Sequence, residues 1–262
     1  MVRHCVEING IDVEAVFSEG EIHEIFLPLL RKLTELQAEK GRRILAMLAA
    51  PPGAGKTTLL SFLHSLSCEY ADIGRIQVIG MDGFHRRQEF LLSHTVERDG
   101  NEIPMVSIKG APVTFDLGKL TESVRKVASG DVFGWPAYDR MLHNPVENAV
   151  MIDGDIILLE GNYLLLDADG WRDLSSFADY TISVRAEETL LRTRLIDRRI
   201  KTGVEKEAAT RFVDFSDMPN VRLCLEKTMR ADLELQIGED GNTGSFCFMR
   251  RQYKEEPGSW NS

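Results

Sequence analysis

An α/β fold, with a mostly parallel sheet flanked by helices, is what this sequence predicts, on three observations. Apolar strand-like runs alternate with helical stretches through most of the chain, the order that builds parallel sheets with helical crossovers. One junction, from Ile44 to Leu63, reads as strand, tight glycine loop, helix. Two further apolar runs end on a carboxylate followed by glycine, Asp82-Gly83 and Glu160-Gly161. In such sheets ligands lie at the carboxyl ends of the strands, so both acids fall where chemistry is done.

Taken in order, the elements follow from local signals. Cys5 to Ile8 and Ile11 to Phe17 flank Asn9-Gly10, a strong two-residue hairpin signal. A helix is expected from about Glu21 to Glu39, with Ile22, Ile25, Phe26, Leu29, Leu30, Leu33 and Leu36 on one side and Gly41 as its stop. The apolar run Ile44–Ala49 is a buried strand, and Thr58 to Leu63 continues a helix after the loop. Strands are expected at Ile76–Met81, Ile156–Glu160 and Tyr180–Val184, with a short extended piece at Phe133–Ala137. Helices are expected at Leu117–Ala128, Glu187–Lys201, Lys206–Phe212 and Pro219–Met229. The tail reads as a second hairpin, Leu233–Ile237 and Ser245–Met249 around Asp240-Gly-Asn-Thr-Gly244. Residues 1–40 therefore form a hairpin-and-helix extension, and 41–262 the main domain.

The loop Ala50-Pro51-Pro52-Gly53-Ala54-Gly55-Lys56-Thr57 has P-loop spacing, with Ala50 at the usual first glycine. Gly53 and Gly55 lack a Cβ, so backbone N–H groups can curl around an anion, and the following helix adds the positive end of its dipole. Lys56 would reach the β- and γ-phosphates of a nucleotide, and the Thr57 hydroxyl would sit on Mg²⁺. A carboxylate at a strand end beside such a loop has two jobs open to it: holding Mg²⁺, or taking the proton of an attacking hydroxyl. Residues 185–211 carry eight basic side chains against five acids, and Arg194, Arg198 and Arg199 recur at helical spacing. That segment reads as a lid facing phosphate, against the alternative of a solvated helix face.

Composition excludes several classes. The net charge of −10 argues against nucleic acid as a partner, because phosphate neutralisation needs a basic face. No apolar run approaches the roughly 18 residues of a membrane span, and the start lacks a signal-peptide apolar region. Cys5, Cys68, Cys224 and Cys247 are scattered without a Cys-x-x-Cys pair, which favours free thiols and a cytoplasmic location. His85, His94 and His143 match no zinc spacing, and Trp135 and Tyr163 read as core aromatics. Neither an Asn-Lys-x-Asp guanine motif nor an ABC-type signature is present.

The motifs in order, Ala50–Thr58, Met81–His85, Lys109–Asp116, Pro136–Arg140, Glu160–Tyr163 and Arg194–Arg199, resemble the P-loop kinase superfamily of uridine kinase, phosphoribulokinase and pantothenate kinase. The resemblance runs from about Ile44 to Met229 and is nearest to the fructokinase-like branch, the nucleoside/nucleotide kinase family proteins. It implies a P-loop NTPase fold with an Arg-rich lid and the cofactors ATP and Mg²⁺. Its implied cradle is Pro52, Gly53, Ala54, Gly55, Lys56, Thr57 and Thr58. Asp82 matches the base, Glu160 with Thr57 the Mg²⁺ support, and Arg194 and Arg198 the lid. Asp82, His85, Tyr138, Arg140, His143 and Asn162 match the acceptor pocket. Pro145 replaces an arginine usual in uridine kinases, and Arg86-Arg87-Gln88-Glu89 departs from the sugar-kinase Leu-Asp-Asn. The implied reaction moves the γ-phosphoryl group to a hydroxyl of a small metabolite, a sugar or polyol first, a nucleoside or pantothenate next. The competing class is a P-loop ATPase switch. The Asn-Gly hairpin offers a surface for a homodimer.

Overall fold

Six consecutive apolar residues, Ile44–Ala49, can be buried on both faces only in the middle of a sheet, and strand β3 (Ile44–Ala49) occupies that place. The structure, a computed structural model, describes residues 1–8, 11–239 and 246–250. Its main sheet has the order β12-β11-β10-β3-β9-β4, with β4 (Ile76–Gly80), β9 (Ile156–Gly161), β10 (Tyr180–Ala186) and β11 (Leu233–Glu239) parallel to β3. Only β12 (Phe246–Arg250) runs antiparallel, against β11. The mostly parallel α/β sheet is the one expected.

Alternate residues of β3 face opposite layers. Ile44, Ala46 and Leu48 join a core with helices α2 (Leu27–Lys40), α3 (Lys56–Glu69) and α6 (Glu188–Lys201), whereas Leu45, Met47 and Ala49 join a second core with α5 (Leu117–Ser129) and Trp135. Register sets the strand ends level: Ala49 is opposite Gly161, and Gly80 opposite Glu160. The loop after β3 and the turns after β4 and β9 therefore open at one edge, side by side.

Several elements differ in extent from the sequence reading. The N-terminal hairpin pairs β1 (Val2–Ile8) with β2 (Ile11–Phe17), starting earlier than expected. The helix expected from Glu21 begins with α1 (Glu19–Glu21), where Ser18 and Glu21 form a capping box. It then passes through a π-helical turn at Ile22–Phe26 before α2, which Gly41 ends at φ +60°. The second strand stops at Gly80, so Met81 and Asp82 belong to a 3₁₀ turn, Met81–Phe84. The extended piece at Phe133–Ala137 is half of an unforeseen arm, β7 (Phe133–Asp139) paired with β8 (Asn144–Ile152). A short α4 (Gln88–Ser93) and a small hairpin, β5 (Thr95–Arg98) with β6 (Asn101–Pro104), were also unforeseen. After α6 come α7 (Lys206–Phe212), a second π-helical turn at Val213–Asp217, and α8 (Met218–Lys227). The turns at Asn9-Gly10 and Asp240–Gly244, and the Cys247 side chain, lie outside the described residues. Among the described cysteines, Cys5, Cys68 and Cys224 are free.

Candidate active site

The level strand ends bring together the loop, both acids and part of the basic segment. Gly53 and Gly55 take left-handed backbone at φ +85° and +80°, and α3 starts directly at Lys56. The loop thus leaves the first N–H groups of α3 without a side-chain cap, facing the opening. The Lys56 ammonium donates to Ala50 O (3.1 Å), Pro51 O (3.4 Å) and Asn162 Oδ1 (2.5 Å). All three are neutral acceptors, so these hydrogen bonds hold the ammonium in place without cancelling its charge, and Glu160 is the carboxylate that feels it. Thr57 is exposed, Thr58 half-buried, Ala54 buried, and Pro52 half-buried.

Asn162 was grouped with the acceptor pocket from sequence; its side chain instead fixes Lys56, while its carbonyl accepts from the buried Cys224 thiol at 3.4 Å. Burial pushes that thiol up to about 12, so it stays protonated and serves as a donor from α8.

Glu160 stands across from Gly80, where an added Cβ would lie 3.2 Å from Oε1. Its carboxylate receives no hydrogen bond among the described residues. Desolvation lifts it to about 7, with Lys56 pulling down and Asp82 pushing up. Asp82 lies on the 3₁₀ turn, its side chain 46% exposed, with Arg140 Nη2 at 3.9 Å. Thr57 and Glu160 offer hard oxygen donors, and the uncapped glutamate suits a divalent cation.

The glycines after the two acids serve close packing and open no room for a ligand. A Cβ on Gly83 would fall 2.1 Å from Pro136 O, and one on Gly161 2.2 Å from Met81 Sδ. They let the β7–β8 arm and the strand-end turn pack closely. Trp135 on that arm is buried and donates to Gly80 O at 2.9 Å, locking the turn that carries Asp82. Tyr163 is likewise buried and donates to Gly110 O at 2.6 Å.

Around Asp82 lie the remaining acceptor-side residues. His85 Nδ1 is 2.8 Å from Asp82 O, and its ring contacts Phe115 (3.9 Å between centroids) and Tyr138 (5.2 Å). Burial keeps His85 below the ordinary histidine range, hence neutral near pH 7. Tyr138 carries Lys109 Nζ above its ring at 4.9 Å, and burial holds its hydroxyl protonated. His143, in left-handed backbone at φ +52° near the arm's tip, presents its carbonyl to Lys109. His94 stacks on Phe90 of α4. Lys109 and Gln88 were quoted from sequence only within motifs and given no role at the site; the strand-like spacing gave no sign that the arm would fold over them.

The basic segment divides. Arg194 donates to Gly53 O at 3.2 Å, and α6 approaches so closely that a Cβ on Gly53 would lie 3.1 Å from Leu191 O. The Arg198 charge is disfavoured first by desolvation, with Asp217 and Asp82 opposing and Arg140 and Arg199 adding repulsion. Arg192 instead pairs with Asp214, Arg199 with Asp217 and the Phe212 ring, and Arg185 donates to Leu225 O. Thus Arg194 meets the loop, Arg198 lies in the field of Asp82 and Asp217, and Arg192 and Arg199 tie α6 to its neighbours, while Arg185 belongs to β10. No helix among the described residues is long and apolar enough to cross a membrane.

Comparison with known proteins matches this arrangement. Residues 45–243 fit the model of the phosphoribulokinase / uridine kinase family. The chain is 39% identical over 235 residues, 89% of its length and 95% of the relative's, to the uncharacterized protein YggC of Escherichia coli. It is 27% identical over 244 residues to a pantothenate kinase of Yersinia pestis, across 83% of this chain and 74% of that one. Its structure resembles that of a "putative fructose transport system kinase" from Silicibacter sp. TM1040, with a TM-score of 0.67 and 29% identity over 78% of this chain and 98% of that one. The strand-end chemistry and the match over most of the chain agree: the protein belongs to the phosphoribulokinase / uridine kinase family and is a small-molecule kinase.

Proposed function

We propose that this kinase transfers the γ-phosphoryl group of ATP to a hydroxyl of a sugar or sugar-like polyol. The observation that carries the reading is the placing of Asp82: a half-exposed carboxylate on a locked turn, within the field of Glu160 and beside the loop that holds Lys56. Phosphoryl transfer needs an in-line acceptor and neutralised charge, with little covalent work by the protein. Asp82 orients the acceptor hydroxyl and takes its proton as the bond to phosphorus forms. Lys56, kept extended by Asn162, meets the β- and γ-phosphates by exchanging neutral carbonyl partners for anionic oxygens. Arg194 and Arg198 absorb charge on the departing side and shield the site from water. Thr57 and Glu160 would hold Mg²⁺, which when bound would neutralise phosphate charge. Tyr138, His85 and Arg140 form the wall against which the acceptor lies.

The test is ADP release by the purified protein with and without neutral sugars and polyols, nucleosides and pantothenate. A kinase of this kind is stimulated strongly by its acceptor; hydrolysis indifferent to every acceptor would point to an ATPase switch. Asp82→Asn, which keeps size but takes up no proton, should bind Mg-ATP and lose acceptor-dependent turnover by about a hundredfold or more.

A further inference from the structure

The Lys56 ammonium has three N–H donors, and all three are spent, on Ala50 O, Pro51 O and Asn162 Oδ1. A phosphate oxygen is met only when one of these partners gives way. Two of them are backbone carbonyls of the loop itself, at 3.1 and 3.4 Å. The third is a side chain from just past the end of β9, and it makes the shortest contact, 2.5 Å.

The backbone that carries this side chain is fixed. Gly161 packs so closely that a Cβ there would lie 2.2 Å from Met81 Sδ, and the buried Tyr163 donates its hydroxyl to Gly110 O. The Asn162 carbonyl accepts from the Cys224 thiol of α8 at 3.4 Å. Asn162 is half-buried, so what moves at this position is its side-chain amide.

ADP and ATP then ask different things of Lys56. ADP brings it a β-phosphate oxygen, whereas ATP brings a β- and a γ-phosphate oxygen. The first oxygen displaces the longest contact, Pro51 O at 3.4 Å, a carbonyl that keeps the Ala54 N–H at 3.2 Å. The second displaces Ala50 O or Asn162. Ala50 is tied by its own N–H to Gly161 O at 3.2 Å and is part of the loop. A lysine turned toward phosphate in that loop therefore stays beside Ala50 O and leaves Asn162.

We infer that Asn162 is a positioning residue that competes with the γ-phosphate for Lys56 and thereby sets how far the protein prefers ATP over ADP. Its Oδ1 stands in for a γ-phosphate oxygen in the ADP complex and is given up in the ATP complex. One hydrogen bond is lost on binding ATP and kept on binding ADP, which draws the two affinities together. The inference rests on ATP as the nucleotide of the kinase reading above and is independent of which acceptor is phosphorylated.

The experiment measures Kd by calorimetry in the presence of Mg²⁺ for ADP and for β,γ-imido-ATP, an analogue that is not turned over. Asn162→Ala, and Asn162→Leu, which keeps the bulk, should each bind the analogue about three- to tenfold more tightly with ADP affinity held within about twofold, the net worth of one hydrogen bond. The ratio of the ADP Kd to the analogue Kd rises accordingly, and either variant decides the matter alone. Asn162→Asp, whose carboxylate pairs with Lys56, should lower that ratio instead. A side chain that only keeps the turn folded would weaken both nucleotides alike in Asn162→Ala and Asn162→Leu. A ratio unchanged or lowered in those two variants overturns the inference and leaves the kinase reading intact. Failure of the wild-type protein to bind either nucleotide overturns both together.

Discussion

A methyl group on Gly83 would collide with the Pro136 carbonyl, a backbone atom of the β7–β8 arm that no side-chain rotation can move. Gly83→Ala should therefore act through folding. Overpacking of a rigid contact costs about 3 kcal/mol or more, a fall in Tm of roughly 6–12 °C, visible by calorimetry. An alanine variant of wild-type stability would mean that the arm stands off this turn. Glu160 gives a second residue-scale test, read on metal-free protein. Its folded-state carboxyl titrates at about 7 against 4.5 unfolded. Between these values the folded protein binds the extra proton, so stability falls as pH rises through 7. Glu160→Gln lacks that loss. The variant should match wild type at pH 4.5 and exceed it at pH 8 by about 2–3 kcal/mol, as read from urea unfolding. A pH-independent difference would remove Glu160 from its buried, charge-coupled setting.

At the scale of elements, α6 carries two kinds of arginine on one helix. Arg194 reaches the loop through Gly53 O, and Arg198 lies in the field of Asp82. Arg192 spends its charge on Asp214 in an exposed pair. Arg194→Ala and Arg198→Ala should lower kcat by about tenfold or more while changing KM for ATP less, since their charges matter most as the phosphoryl group departs. Arg192→Ala should leave kcat within about twofold and cost under about 1 kcal/mol of stability. Steady-state kinetics of the three variants decide it; equal effects from all three would mean a helix held only by its packing. Sequence reasoning found the strand ends because glycine spacing and apolar runs are local signals. It grouped the arginines on one face because spacing cannot see Asp214 and Asp217, which the π-helical turn at Val213–Asp217 brings round. The arm was hidden for a related reason. Pro145, Glu147 and Asn148 blur the alternation of β8, a bulge lies between Trp135 and Ala137, and Asn148 adopts φ +53°. Lys109 was therefore quoted as part of a motif without its partners, which come from α4 and the arm's tip.

The whole molecule ties its N-terminal segment into the same core as the catalytic loop. Phe17 stacks on Phe62 of α3 at 4.0 Å and lies near Phe26 and Phe248, while His4 Nε2 meets Ser61 Oγ at 2.9 Å. The Glu21 carboxylate that closes the capping box also accepts from Phe248 N at 2.6 Å, joining the first helix to the last strand. On α3 these contacts fall on Ser61 and Phe62, in the middle of the helix and past its phosphate-facing start. Phe17→Ala should remove a buried aromatic from a four-ring cluster at a cost of about 3–5 kcal/mol. For a chain of this size that lowers Tm by roughly 10 °C. Lys56 and Thr57 open α3, ahead of Phe62, and Lys56 keeps its partners in the loop and at Asn162, just past β9. Turnover per folded molecule should accordingly stay within about twofold at temperatures well below the transition. Calorimetry beside kinetics at 20–25 °C separates the effects. A variant as stable as wild type would detach the hairpin from the core, and a stable variant that lost turnover would give the N-terminal segment a part in the reaction.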